Sequence, residues 1–68
     1  MNENIRYEIT YSYYDKRNYR REKTLTCYNI EKLKEHIVNI NKLENLTGEE
    51  PHVVMYKNGE AKVIKNLN

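Results

Sequence analysis

The fourteen residues HVVMYKNGEAKVIK, His52 to Lys65, constrain this chain more than any other stretch. Asn58-Gly59 stands between two arms rich in β-branched and aromatic residues. A two-residue hairpin loop of type I′ needs positive φ at both central positions, which Asn and Gly tolerate best. The pattern therefore predicts an antiparallel hairpin that pairs Lys57 with Glu60, Tyr56 with Ala61, Val54 with Val63 and Val53 with Ile64. Side chains alternate between sheet faces, so Val54, Tyr56, Ala61 and Val63 share one face and Val53, Met55 and Ile64 the other. Both faces are apolar.

A second hairpin is predicted near the N-terminus. In IRYEITYSYY, Ile5, Tyr7, Ile9, Tyr11 and Tyr13 alternate with Arg6, Glu8, Thr10, Ser12 and Tyr14, the period of a half-buried strand. YRREKTLTCY then places Leu25 and Cys27 on one face and Thr24 and Thr26 on the other. A one-residue slip would turn Leu25 and Cys27 away from the core, so Ile9 should face Leu25 and Tyr7 should face Cys27. That register leaves Lys16, Arg17 and Asn18 as a three-residue loop, with Asn18 able to adopt the left-handed conformation. It also sets Tyr11 opposite Lys23, Tyr13 opposite Arg21, and Tyr14 opposite Arg20 on the reverse face.

Between the hairpins, Asn29 is a good N-cap and Glu31 falls in the first helical turn. Ile30, Leu33, Ile37 and Ile40 form an apolar stripe at helical spacing. The periodicity fades by Asn45, and TGEEP reads as a loop with a proline stop. The expected fold is α+β: a ββαββ chain in two layers, with a four-stranded antiparallel sheet and one helix packed on one face. Residues 1–68 read as a single small domain without repeat or linker.

Size and composition narrow the function classes. A 68-residue chain buries little core and needs a further source of stability. A lone cysteine, Cys27, forms no intramolecular bridge, and its spacing from His36 and His52 matches no ordinary zinc pattern. Cys27 reads as a small core residue, and the two histidines as boundary or surface positions. The only glycines, Gly48 and Gly59, build no phosphate cradle. Glu49-Glu50 reads as a solvated turn. Neither a signal segment nor a membrane-spanning run is visible, so the expected location is cytoplasmic. The absence of Phe and Trp, with abundant Asn, Lys, Ile and Tyr, matches AT-rich coding, the expectation for a phage, a plasmid or a low-GC bacterium.

Two surfaces stand out as candidate sites. The net charge is only +2, yet residues 13–23 hold five Lys and Arg against Asp15 and Glu22, a local +3. Tyr13, Tyr14, Lys16, Arg17, Tyr19, Arg20, Arg21 and Lys23 form the expected partner-binding hairpin, whose outer pairs extend beyond the apolar part of the sheet so that it projects. Arg and Lys suit phosphates or carboxylates, while Tyr faces stack on bases or guanidinium groups. The bland alternative is that cross-strand Tyr–Arg pairs only stabilise an exposed hairpin. The second surface is Val53, Met55 and Ile64, with Tyr28, the sheet face expected to be left open for self-association as a homodimer.

Together these features predict a small non-enzymatic binding or accessory protein that needs no cofactor and no metal and does not engage membranes. Its hairpin would act on a protein partner, as an inhibitor or regulator, for example of a host defence or nucleic-acid-processing complex. Nucleic-acid binding by the same hairpin is the alternative. The kit of Arg, Lys, Tyr and His also resembles, in residue types alone, that of the metal-independent RelE-type ribonuclease toxins, although no motif aligns.

Overall fold

A computed structural model describes residues 4–64. The elements run β1 (Ile5–Tyr14), β2 (Arg20–Cys27), α1 (Ile30–Asn41), β3 (His52–Lys57) and β4 (Glu60–Ile64), the expected ββαββ order. All strand pairs are antiparallel in one sheet of order β2-β1-β3-β4, so the longest strand lies inside and β2 and β4 form the edges.

Both predicted registers hold. Tyr7 pairs with Cys27, Ile9 with Leu25, Tyr13 with Arg21 and Tyr14 with Arg20. The connecting turn closes with Asp15 N–H donating to the Tyr19 carbonyl, at 3.0 Å, and Asn18 at φ 66°. Asn58 and Gly59, at φ 51° and 84°, make the tight turn between β3 and β4, and the four predicted cross-strand pairs form.

Asn29 caps α1 as expected, its side chain accepting from Lys32 N–H at 2.7 Å in extended backbone geometry. The helix packs over the β1–β2 half of the sheet. Leu33 and Ile40 are buried from its stripe, against Tyr7, Ile9 and Cys27 from the first hairpin and Val53 from β3. Ile30, Val38 and Leu43 remain exposed. A twelve-residue helix spans about 18 Å, whereas ten-residue β1 spans about 33 Å. The helix therefore covers only the near half of the first hairpin.

Pairing of Tyr7 with Met55 and Ile9 with Val53 decides the sheet face. Residues directly opposite point the same way, so Val53, Met55 and Ile64 lie on the sheet face that carries the helix. Val53 is only 5% exposed, and Met55 and Ile64 pack against the core. This reverses the expected assignment of the open face. The uncovered apolar face of the second hairpin is instead Val54, Tyr56, Ala61 and Val63, because β1 fixes the orientation of β3 and its buried residues are the odd-numbered ones.

Candidate functional site: the first hairpin and its tip

The far half of the first hairpin does not project freely. After α1 the chain returns along the β3 side of β1, where Tyr13 bridges to Leu46. Tyr14 N–H donates to the Asn45 carbonyl at 2.8 Å, and Asn45 Nδ2 donates to the Tyr14 carbonyl at 2.7 Å. Thr47 N–H reaches the Ser12 carbonyl at 3.4 Å. The segment then swings outward before rejoining the sheet at His52, opposite Thr10. Gly48, at φ 93°, makes that departure in the left-handed region that suits glycine. Its consequence is to carry Glu49 to the open face of the first hairpin.

There Arg20 gathers three elements. Its Nε donates to Glu49 Oε2 at 2.9 Å, while its Nη2 donates to Ser12 Oγ at 2.9 Å and to Glu22 Oε2 at 3.2 Å. Ser12 is buried beneath this cluster. Thr47 Oγ1 donates to Glu49 Oε2 at 3.1 Å, closing the network. The Arg20 guanidinium, followed by the Thr47 hydroxyl, holds the Glu49 carboxyl below its ordinary pKa, and Glu49 in turn raises that of Arg20. The solvated turn expected at Glu49-Glu50 thus supplies a carboxylate that ties the loop to β2. Sequence spacing carries no signal of this contact, which joins residues 29 positions apart.

Asp15 organises the tip on the other face. One carboxylate oxygen accepts from Arg17 N–H at 2.9 Å and Tyr19 N–H at 3.0 Å, and the second accepts from Arg21 Nε at 2.9 Å. The Arg21 bond, then the Tyr19 amide, lowers the Asp15 pKa, and Arg21 is correspondingly raised. An Asp that bonds the backbone two residues on is a recurrent turn device. Here it also takes up a cation from the basic cluster.

The predicted partner-binding residues are consequently divided. Arg20 and Arg21 are engaged by carboxylates. Tyr13 is half-buried against Tyr11, their ring centroids 5.8 Å apart, and faces the helix side with Lys23 and Arg21. Tyr14 shares the open face with Arg20. Lys16, Arg17 and Tyr19 are together at the tip, all exposed, and the ion pairs among the described residues engage neither Lys16 nor Arg17. Tyr19 is 59% exposed. Of the expected self-association set, Val53 is core and Tyr28 stands exposed where β2 ends.

Elsewhere the arrangement offers little chemistry. Cys27 is buried, and burial raises its thiol pKa, the setting of an inert packing cysteine. Among the described residues no three His, Cys, Asp or Glu side chains converge to hold a metal ion. His36 lies on α1 and His52 at the start of β3. An open concavity of about 720 Å³ at the opposite end of the sheet from the tip is lined by Asn4, Ile5, Arg6, Tyr28, Tyr56 and Gly59. Arg6 stacks over Tyr56 there, 4.5 Å from the ring centroid. No described helix is long and apolar enough to cross a membrane. Compared with known proteins, the chain matches no protein-family model, no curated protein and no solved structure.

Proposed function

We propose that this chain is a non-enzymatic binding module that docks the tip of its first hairpin, Lys16, Arg17 and Tyr19, on an acidic patch of a protein partner. The observation that carries this reading is the Asp15 turn. Its carboxylate holds the Arg17 and Tyr19 amides, so the tip is ordered before any partner arrives. A pre-ordered loop loses less conformational entropy on binding, and an exposed tyrosine on a held backbone beside an arginine has the composition of an interface hot spot. An inhibitor or regulator would use such a tip without a catalytic group.

Internal neutralisation favours a protein over a nucleic acid. Two of the five hairpin cations already face carboxylates, Arg20 with Glu22 and Glu49, and Arg21 with Asp15. Glu49 comes from outside the hairpin and further reduces its positive potential. Nucleic-acid affinity rests on neutralising several phosphates, which this arrangement serves poorly.

The test is a photo-crosslinking residue at position 19 in the producing cells, compared with the same residue at exposed position 26. A protein adduct at 19 that is lost with Arg17→Glu supports the docking tip. Direct titration with DNA and RNA at low salt supplies the other arm. A steep salt-dependent affinity that falls with Lys16→Ala/Arg17→Ala would replace the protein reading by the nucleic-acid one. Crosslinks shared equally by both positions would remove the tip from consideration.

A further inference from the structure

The β4 edge carries a pattern that the hairpin tip does not explain. Along an antiparallel strand, backbone groups alternate between the two neighbours. Asn58 N–H donates to the Asn4 carbonyl at 3.2 Å, on the β1 side. Lys57, Met55 and Val53 therefore turn their backbone groups to β4 and bond Glu60, Lys62 and Ile64. This leaves the N–H and C=O groups of Ala61 and Val63 directed outward from the sheet edge. Glu60 to Val63 are all exposed, and the ion pairs among the described residues engage neither Glu60 nor Lys62.

We infer that β4 pairs antiparallel with β4 of a second copy of this chain, in the register centred on Ala61, to make one continuous eight-stranded sheet. A two-fold antiparallel pair must oppose residues of the same sheet face, which admits few registers. Centred on Ala61, the outward groups of Ala61 bond those of Ala61 in the second copy. Glu60 then faces Lys62 of the second copy at a non-hydrogen-bonded position, where side chains approach most closely, and the two-fold repeats the contact. Centring on Lys62 would set two like charges opposite each other. Centring on Val63 would set Lys62 opposite Ile64, where it meets no carboxylate. Centring on Glu60 would oppose two carboxylates. Charge complementarity therefore selects the Ala61 register, whose ladder runs from Glu60 to Lys62 of each copy because Val63 falls opposite the turn residue Gly59.

The other face agrees with this choice. Val54, Tyr56, Ala61 and Val63 lie on the face that α1 does not cover, with Val63 63% exposed. Pairing at Ala61 joins the two apolar strips into one surface running across the axis. It also pairs part of an open edge, the feature that small sheet proteins must otherwise protect. This association is independent of the tip and of its partner.

Sedimentation over a range of concentrations, with circular dichroism as the control for folding, tests the pairing. The wild-type chain should dimerise. Lys62→Glu or Glu60→Lys alone sets like charges opposite each other twice and should raise the dissociation constant about tenfold. The combined Glu60→Lys/Lys62→Glu chain should return close to the wild-type value. Ala61→Pro removes an outward N–H without touching the β3 ladder, so it should give a folded monomer. A wild-type monomer at millimolar concentration would overturn the inference. So would a dimer indifferent to the single charge changes, or one that the double change fails to restore.

Discussion

Beneath α1, β1 contributes Tyr7 and Ile9 to a buried apolar contact with Leu33 and Ile40. A few residues further along the same strand, Ser12 and Tyr14 are held by the Arg20 guanidinium and by the backbone of residues 45–47. One strand thus runs from an apolar region into a polar one without changing register. The near half resists change through buried apolar area, which carries no charge to be screened or titrated. The far half relies on exposed charge-assisted bonds, which order a loop but contribute modestly to stability. A binding tip benefits from such a base, because its geometry is set without a second core.

The largest expected effect comes from emptying the near half. Leu33 is fully buried, and Leu33→Ala should cost about 2–5 kcal/mol. That approaches the whole stability of a domain this small, about 5 kcal/mol at the low end of the usual range. Urea denaturation followed by circular dichroism should show a much lower midpoint. Hairpin-tip resonances should vanish in the same transition; their survival beyond it would show that the far half stands on its own.

Asp15→Ala should act in the opposite way. The Arg17 and Tyr19 amides lose their acceptor and Arg21 loses its partner, so hydrogen exchange should accelerate at residues 17 and 19. Amides beside Ile9 and Leu33 should keep their protection. Loss of protection in both regions would mean that the turn supports the core.

Acid should separate the halves more gently. The Asp15 and Glu49 carboxyls have folded pKa values lowered from 3.8 and 4.5, so each ionised form is favoured by the fold. Their contribution is fully present above those ordinary values and is lost as pH falls through the lowered ones. Amide shifts of Arg17, Tyr19 and Thr47 should therefore move below about pH 4.5, while those of the near half stay fixed. A core that loosens in the same window would erase the distinction.

Much of the fold was legible because local patterns agreed with one another. Alternation in β1 and β2, the Asn18 loop, the Asn29 cap and Asn58-Gly59 each specify short-range geometry through backbone sterics, and all appear as expected. The candidate site was legible only in its composition. Composition points to eight residues on the first hairpin, but the structure divides them between two faces and occupies both Arg20 and Arg21 with carboxylates. Glu49 arrives through a loop whose path depends on the helix length and on Gly48, and nothing in the chain's periodicity records that path.

The sequence by itself determined the elements, their order and both hairpin registers, because each depends on contacts between near neighbours along the chain. Tertiary structure decided the strand order and which side of the second hairpin shares the helix-bearing face. Both sides of that hairpin are apolar, so patterning could not distinguish them. Pairing of Ile9 with Val53 resolved the choice by turning the odd-numbered residues of β3 toward the helix-bearing face and Val54, Tyr56, Ala61 and Val63 toward the other.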